Sequence, residues 1–129
     1  MLRLSPDFAA VDPQEYLQIA KRLASSPNAA DRRTAADRAY YAAFLFSRDT
    51  LSAKGYITPY YSSQDHEYVA RELKSKHILG SAGNDENRLR SARNKVTYDC
   101  RALTDHTLEW FINTAERIIQ NVSNLPVRK

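Results

Sequence analysis

The chain has 129 residues, a net charge of +4 and 26% charged residues, a size that fits one domain (residues 1–129, with its core at about 13–123). Folding a chain of this length buries about two-thirds of the unfolded surface, and the single cysteine, Cys100, excludes an internal disulfide. No Cys/His spacing suits a metal, no cofactor is implied, and the longest apolar run, Ala39 to Phe46, is far short of a membrane span of about 20 residues.

The N-terminal residues lack the continuous apolar stretch of a signal peptide. The expectation is a soluble cytoplasmic protein with no membrane contact. The pI near 9.3 leans toward polyanionic partners. Between Arg71 and Arg101, eight Lys/Arg face four Asp/Glu, so that stretch alone carries +4.

The pattern predicts helices throughout. The first opens at Asp12-Pro13-Gln14-Glu15, where Asp12 caps, Pro13 suits the first helical position and Glu15 closes a capping box. Tyr16, Leu17, Ala20, Leu23 and Ala24 follow at helical spacing. The second spans about 30–53 and stops before Gly55. Its segment Ala39 to Phe46 is apolar around most of the circumference, unlike a one-sided helix. Such a helix is either enclosed by its own bundle or packs across a dimer as well. The reading leans to the dimer, with Tyr40, Tyr41 and Phe44 at the interface, since tyrosine hydroxyls suit a partly wet contact.

The third helix starts near Ser62 or Ser63 and places Val69, Ala70 and Leu73 on one face. A break is expected over 80–84. The fourth helix covers about 85–103. On an ideal helix Leu89, Ala92, Val96, Cys100 and Leu103 form an apolar arc, and Arg90, Arg93, Asn94, Thr97 and Arg101 form a cationic one beside it. Arginine's planar fork suits phosphate or carboxylate. Arg90, Arg93, Thr97 and Arg101 are therefore the candidate nucleic-acid or nucleotide contacts. The fifth helix begins at Thr104-Asp105, carries a stripe from Leu108 to Val122, and ends before Pro126. Short loops between long helices predict an all-α antiparallel bundle of four to five helices.

Two stretches resemble the HEPN superfamily (higher eukaryotes and prokaryotes nucleotide-binding domain), in particular its small stand-alone members. The first is Asp37-Arg-Ala-Tyr-Tyr-Ala-Ala-Phe-Leu-Phe-Ser-Arg-Asp-Thr-Leu51 with Lys54-Gly55, similar to an R-A-Y-Y-A-x-F helix ending in K-G. The second is Leu89-Arg-Ser-Ala-Arg-Asn-Lys-Val-Thr-Tyr-Asp99, similar to R-x-x-A-D-Y-D, with Val96 for Ala and Thr97 for Asp. The resemblance implies a helical bundle that forms a two-fold dimer, with the motif helices lining a shared cleft. It also implies RNA or nucleotide binding, a place in a toxin–antitoxin or defence system, and a nucleotidyltransferase antitoxin as partner.

Many members are metal-independent RNases bearing R-x4-6-H. Carried over, Arg93 matches the motif arginine, Asn94 the polar residue after it, and Tyr98 stands where R-x4-H places histidine. These three are the candidate catalytic residues. Histidine exchanges a proton at about 6.5, whereas tyrosine, at about 10, is a poor general base. His66, His77 and His106 lie on other segments and are expected at the surface. The expectation is a dimeric module binding RNA, a nucleotide or a partner, with weak or no nuclease activity. The alternative is an RNase toxin with an Arg-x4-Tyr site.

Overall fold

The computed structural model describes residues 5–76, 79–101 and 106–129, and within them the chain is all-helical, with no strand. Five helices follow in order: α1 (Gln14–Ala24), α2 (Ala29–Ala53), α3 (Gln64–Lys74), α4 (Ala82–Tyr98) and α5 (Leu108–Ser123). Among the described residues no helix is long and apolar enough to cross a membrane.

Local chemistry sets most helix ends. Asp12 Oδ1 accepts the Gln14 N–H at 2.9 Å and Glu15 Oε2 accepts the Asp12 N–H at 3.0 Å, the reciprocal capping pair expected before α1. Asn28 Oδ1 accepts the N–H groups of Ala30 and Asp31, which starts α2. At its other end Gly55 takes φ 86°, and Tyr56 N–H returns to Leu51 O at 2.9 Å. A residue with a Cβ is disfavoured there. Thr107 Oγ1 accepts the Trp110 N–H and opens α5. The expected start at Thr104–Asp105 lies outside the described residues, as do Leu103 and His77.

α2 runs through the middle and packs against each of the other four helices. Ala35, Ala36, Ala39, Ala42 and Ala43 are all at most 2% exposed, and these small side chains let neighbouring helices approach closely. The larger Tyr40, Phe44 and Leu51 fill the space between. Most of the apolar circumference of α2 is thus covered inside one chain, with Tyr41, Leu45 and Phe46 only partly buried. Of the three residues expected at a dimer interface, Tyr40 and Phe44 are buried by the chain's own bundle, and only Tyr41 keeps part of its surface.

α4 differs from its expected bounds at both ends. It begins at Ala82 and takes Gly83 into its first turn. A Cβ on Gly83 would lie 2.5 Å from Lys74 N and 2.7 Å from Lys74 Cα, so this glycine lets α4 start against the end of α3. That constraint comes from a neighbouring helix, and helix propensity gives no sign of it. At the other end α4 stops at Tyr98. Cys100, placed by the pattern in the apolar arc, is exposed beyond the helix.

Candidate functional site

The helix that carries the arginines has an inward and an outward set, but they do not divide as a simple arc. Leu89, Ala92 and Val96 are buried as expected. Arg93 is buried with them, only 4% exposed. Its Nε lies 3.6 Å from Asp37 Oδ1 on α2, an ion pair without a hydrogen bond. Its guanidinium carbon sits 4.6 Å from the centre of the Tyr40 ring and 5.0 Å from that of Tyr41. A desolvated cation against two ring faces gains from their quadrupoles. The motif arginine is therefore built into the α2–α4 seam and is not presented on a solvent-facing stripe.

Asp37 collects several partners. Arg38 Nη2 donates to Oδ2 at 2.7 Å, and Thr97 Oγ1 donates to Oδ1 at 3.3 Å. Arg38 in turn lies over Tyr41, with 5.4 Å from its guanidinium carbon to the ring centre, and over Tyr16 at 5.6 Å.

His66 joins this cluster, contrary to its expected place at the surface. The start of α3 carries it against Phe44, with ring centres 4.1 Å apart and planes nearly parallel. Its Nδ1 is hydrogen-bonded to the Tyr40 hydroxyl. Burial, then the nearby Arg90 and Arg93, lowers the His66 pKa to about 4, so the ring is neutral at pH 7. Burial, reinforced by Glu86, pushes the Tyr40 phenol well above the usual tyrosine range.

Asp65, the residue before His66, fixes this turn. Its two carboxylate oxygens accept the Tyr60 and Tyr61 N–H groups at 2.9 and 2.8 Å. Nothing in the spacing of His66 from Arg93 announces their meeting, because 27 residues and a linker separate them. The one sequence signal is the aromatic run on α2, a surface on which a neutral imidazole can stack.

Arg90 is half-exposed and, among the described residues, forms no salt bridge. Its i−4 neighbour, Glu86, is fully buried, and neither carboxylate oxygen has a hydrogen-bond partner among the described residues. Burial pushes that carboxyl up to about 8, against the pull of Arg90. At pH 7 Glu86 is therefore mostly neutral and leaves the Arg90 charge in place. Around Tyr41 and His66 the structure gathers Arg38, Arg90 and Arg93 against two carboxylates, Asp37 and the buried Asp65 whose oxygens are taken by backbone N–H groups.

The remaining candidates are elsewhere. Asn94 and Thr97 are exposed. Tyr98 is 76% exposed at the last turn of α4, turned away from the buried Arg93, in keeping with the angle of about 140° between them on an ideal helix. Arg101 lies beyond α4 and is held by Asp99, whose Oδ1 and Oδ2 accept from its Nε and Nη2 at 3.0 and 2.9 Å. It does not share a face with Arg90. His106 stacks on Trp110 at 3.8 Å. Among the described residues no three His, Cys, Asp or Glu side chains converge as a metal site.

In comparisons with family models, curated proteins and solved structures, nothing matches this chain.

Proposed function

We propose that this chain is a HEPN-type module that binds single-stranded RNA or a nucleotide, as a two-fold dimer, and has little or no nuclease activity. The observation that carries the reading is the cluster at the α2–α4 seam. Arg38, Arg90 and Arg93 surround the Tyr41 and His66 rings, with Asp37 and Asp65 as the carboxylates beside them and Glu86 neutral. Surplus positive charge beside aromatic rings is how proteins hold single strands: cations meet the backbone and rings stack on bases. Within this site Arg90 and Arg38 meet the ligand, while Arg93 positions the rings from below.

A nuclease reading over Arg93 and Tyr98 has less support, since one side chain is buried and the other faces solvent. The exposed Tyr98 and the half-buried Tyr41 are aromatic surface that a second copy can cover. The test is fluorescence anisotropy with a labelled single-stranded RNA across a salt series. Binding that weakens with salt and falls with Arg90→Gln supports the proposal, and salt-independent or undetectable binding rejects it. Light scattering at micromolar concentration tests the dimer, and a monomer there removes the shared cleft.

A second reading rests on one observation: His66 supplies an imidazole beside Arg90 and Arg93 from another helix. A neutral imidazole is a competent base, and a pKa near 4 makes it a weak one. On this reading RNA is cleaved, His66→Ala abolishes cleavage, and Tyr98→Phe leaves it unchanged. Intact RNA after prolonged incubation with the wild-type protein excludes it.

A further inference from the structure

A second feature lies farther along the same seam, where the start of α2, the end of α4 and the start of α5 meet around a groove of about 310 Å³. Its floor is apolar: Ala36, Val96 and Phe111 are each at most 8% exposed, and Leu108 adds a partly buried edge. Its rim is cationic, with Arg32, Arg33, Lys95 and Arg101 among the lining residues and no carboxylate among the described ones.

Among the described residues Asp99 is the acid that meets this rim: it pairs with Arg101 in contact and acts on Arg33 at longer range. Arg33 reaches across to α4 and donates to the carbonyl oxygens of Val96 at 2.8 Å and Arg101 at 2.9 Å, and to those of Asp99 and Cys100. Carbonyl dipoles satisfy its donors, and its charge is shared with the nearby Asp99 carboxylate. Arg32 donates to Ala24 O at 2.7 Å and likewise meets no carboxylate. Lys95 is exposed and forms no ion pair among the described residues. The groove therefore combines an apolar floor with two cations, Arg32 and Lys95, that meet no carboxylate among the described residues. Its volume is at the lower end of the roughly 300–1,000 Å³ of small-molecule sites.

We infer that this groove is a binding site for a small aromatic anion, a phosphate or carboxylate carried on a flat ring system, with the ring on Val96 and Phe111 and the anionic group on Arg32 and Lys95. Neither part suffices alone. The floor lacks the polar groups that would orient a neutral hydrocarbon, and exposed cations hold a free anion weakly in water. A molecule presenting both engages the floor by apolar burial and the rim by charge-assisted hydrogen bonds. The inference is independent of RNA binding, since Arg38, Arg90 and His66 are not among the lining residues.

Isothermal titration calorimetry of the full chain with 1-naphthyl phosphate, 1-naphthoate, 1-naphthol and inorganic phosphate tests it. The first two distinguish the phosphate from the carboxylate source of the anion. At least one of them is expected to saturate. Naphthol and inorganic phosphate are each expected to bind about tenfold more weakly or worse, as loss of charged hydrogen bonds or of ring burial requires. Arg32→Gln and Lys95→Gln, both at exposed positions, are expected to weaken the better ligand about tenfold each, and Arg90→Gln to leave it unchanged. No saturable binding of either aromatic anion at millimolar concentration overturns the site. So does inorganic phosphate binding as tightly as the aromatic anions, or indifference to both substitutions while circular dichroism shows a folded protein.

Discussion

Arg93 and Arg33 cross the same helix–helix seam in opposite directions, and they end differently. Arg93 reaches from α4 to Asp37 on α2, is buried beneath Tyr40 and Tyr41, and has its charge met by a carboxylate. Arg33 reaches from α2 to the end of α4, is half-buried, and among the described residues donates to backbone carbonyls, with the Asp99 carboxylate acting on it at longer range. A carboxylate in contact cancels charge, whereas carbonyls satisfy donors only. The first arrangement holds the two helices together. The second meets the carbonyls at the end of one helix and shares its charge with Asp99. Where an arginine's donors go thus decides its role more than its position in a basic run does.

The largest effect is expected from breaking the first arrangement. Arg93→Ala removes a packed stem and one partner of Asp37, which keeps Arg38. A loss of about 3 kcal/mol in a urea titration is expected, between a core cavity and a broken buried pair. Arg93→Met restores most of the packing and should recover the greater part. An Arg93→Ala protein of unchanged stability but lost RNA binding would make Arg93 a ligand contact and undo the contrast.

Breaking the second arrangement should cost less. Arg33→Ala frees the carbonyls at the end of α4 to water, with an expected loss of about 2 kcal/mol, the scale of hydrogen bonds from a charged donor. Amide exchange should quicken over the last turn of α4, at Lys95 to Tyr98, more than at Leu89 or Ala92. Uniform acceleration along α4 would mean that Arg33 does not act as its stop.

pH sharpens the comparison from within α4. The carboxyl of Glu86 is raised in the folded chain to about 8, so the stability it contributes is complete below its unfolded value and is lost as pH rises through 8. His66 is lowered to about 4, so its contribution is complete above its unfolded value of about 6.5 and is lost as pH falls through 4. The two trends oppose each other between about 4.5 and 6.5, and from 6.5 to 8 only that of Glu86 operates. Stability should therefore fall over that upper window by on the order of 1–2 kcal/mol. Glu86→Gln should flatten the fall, which chemical denaturation at pH 6.5 and 8 will read. An unchanged slope in the variant would show that Glu86 is ionised when folded. The smallest effect is expected at Tyr98: Tyr98→Phe should stay within about 0.5 kcal/mol of wild type, as for an exposed surface position.

Much of the fold follows from local pattern. The cap at Asp12 and the stop at Gly55 involve groups within five residues of one another, and the apolar run of α2 marks the helix that packs against the other four. The misjudged features depend on distant partners. Arg93 looks like surface charge until Asp37, 56 positions earlier, is placed beside it. The carbonyls at the end of α4 are met by Arg33 from α2, and the helical position 83 is a glycine because Lys74 leaves no room for a Cβ. His66 belongs to the cluster only because α3 folds back on Phe44.

The most direct test of the RNA-binding proposal is the salt dependence of single-stranded RNA affinity for the wild type, Arg90→Gln and Arg32→Gln. The account predicts that Arg90→Gln weakens binding and makes the log–log slope shallower by about 0.7, one phosphate contact on a single strand. Arg32→Gln, at the groove, should leave both affinity and slope near wild type. Equal slopes for wild type and Arg90→Gln, or loss of binding only with Arg32→Gln, would contradict the assignment of RNA to the Arg38–Arg90–Tyr41 face.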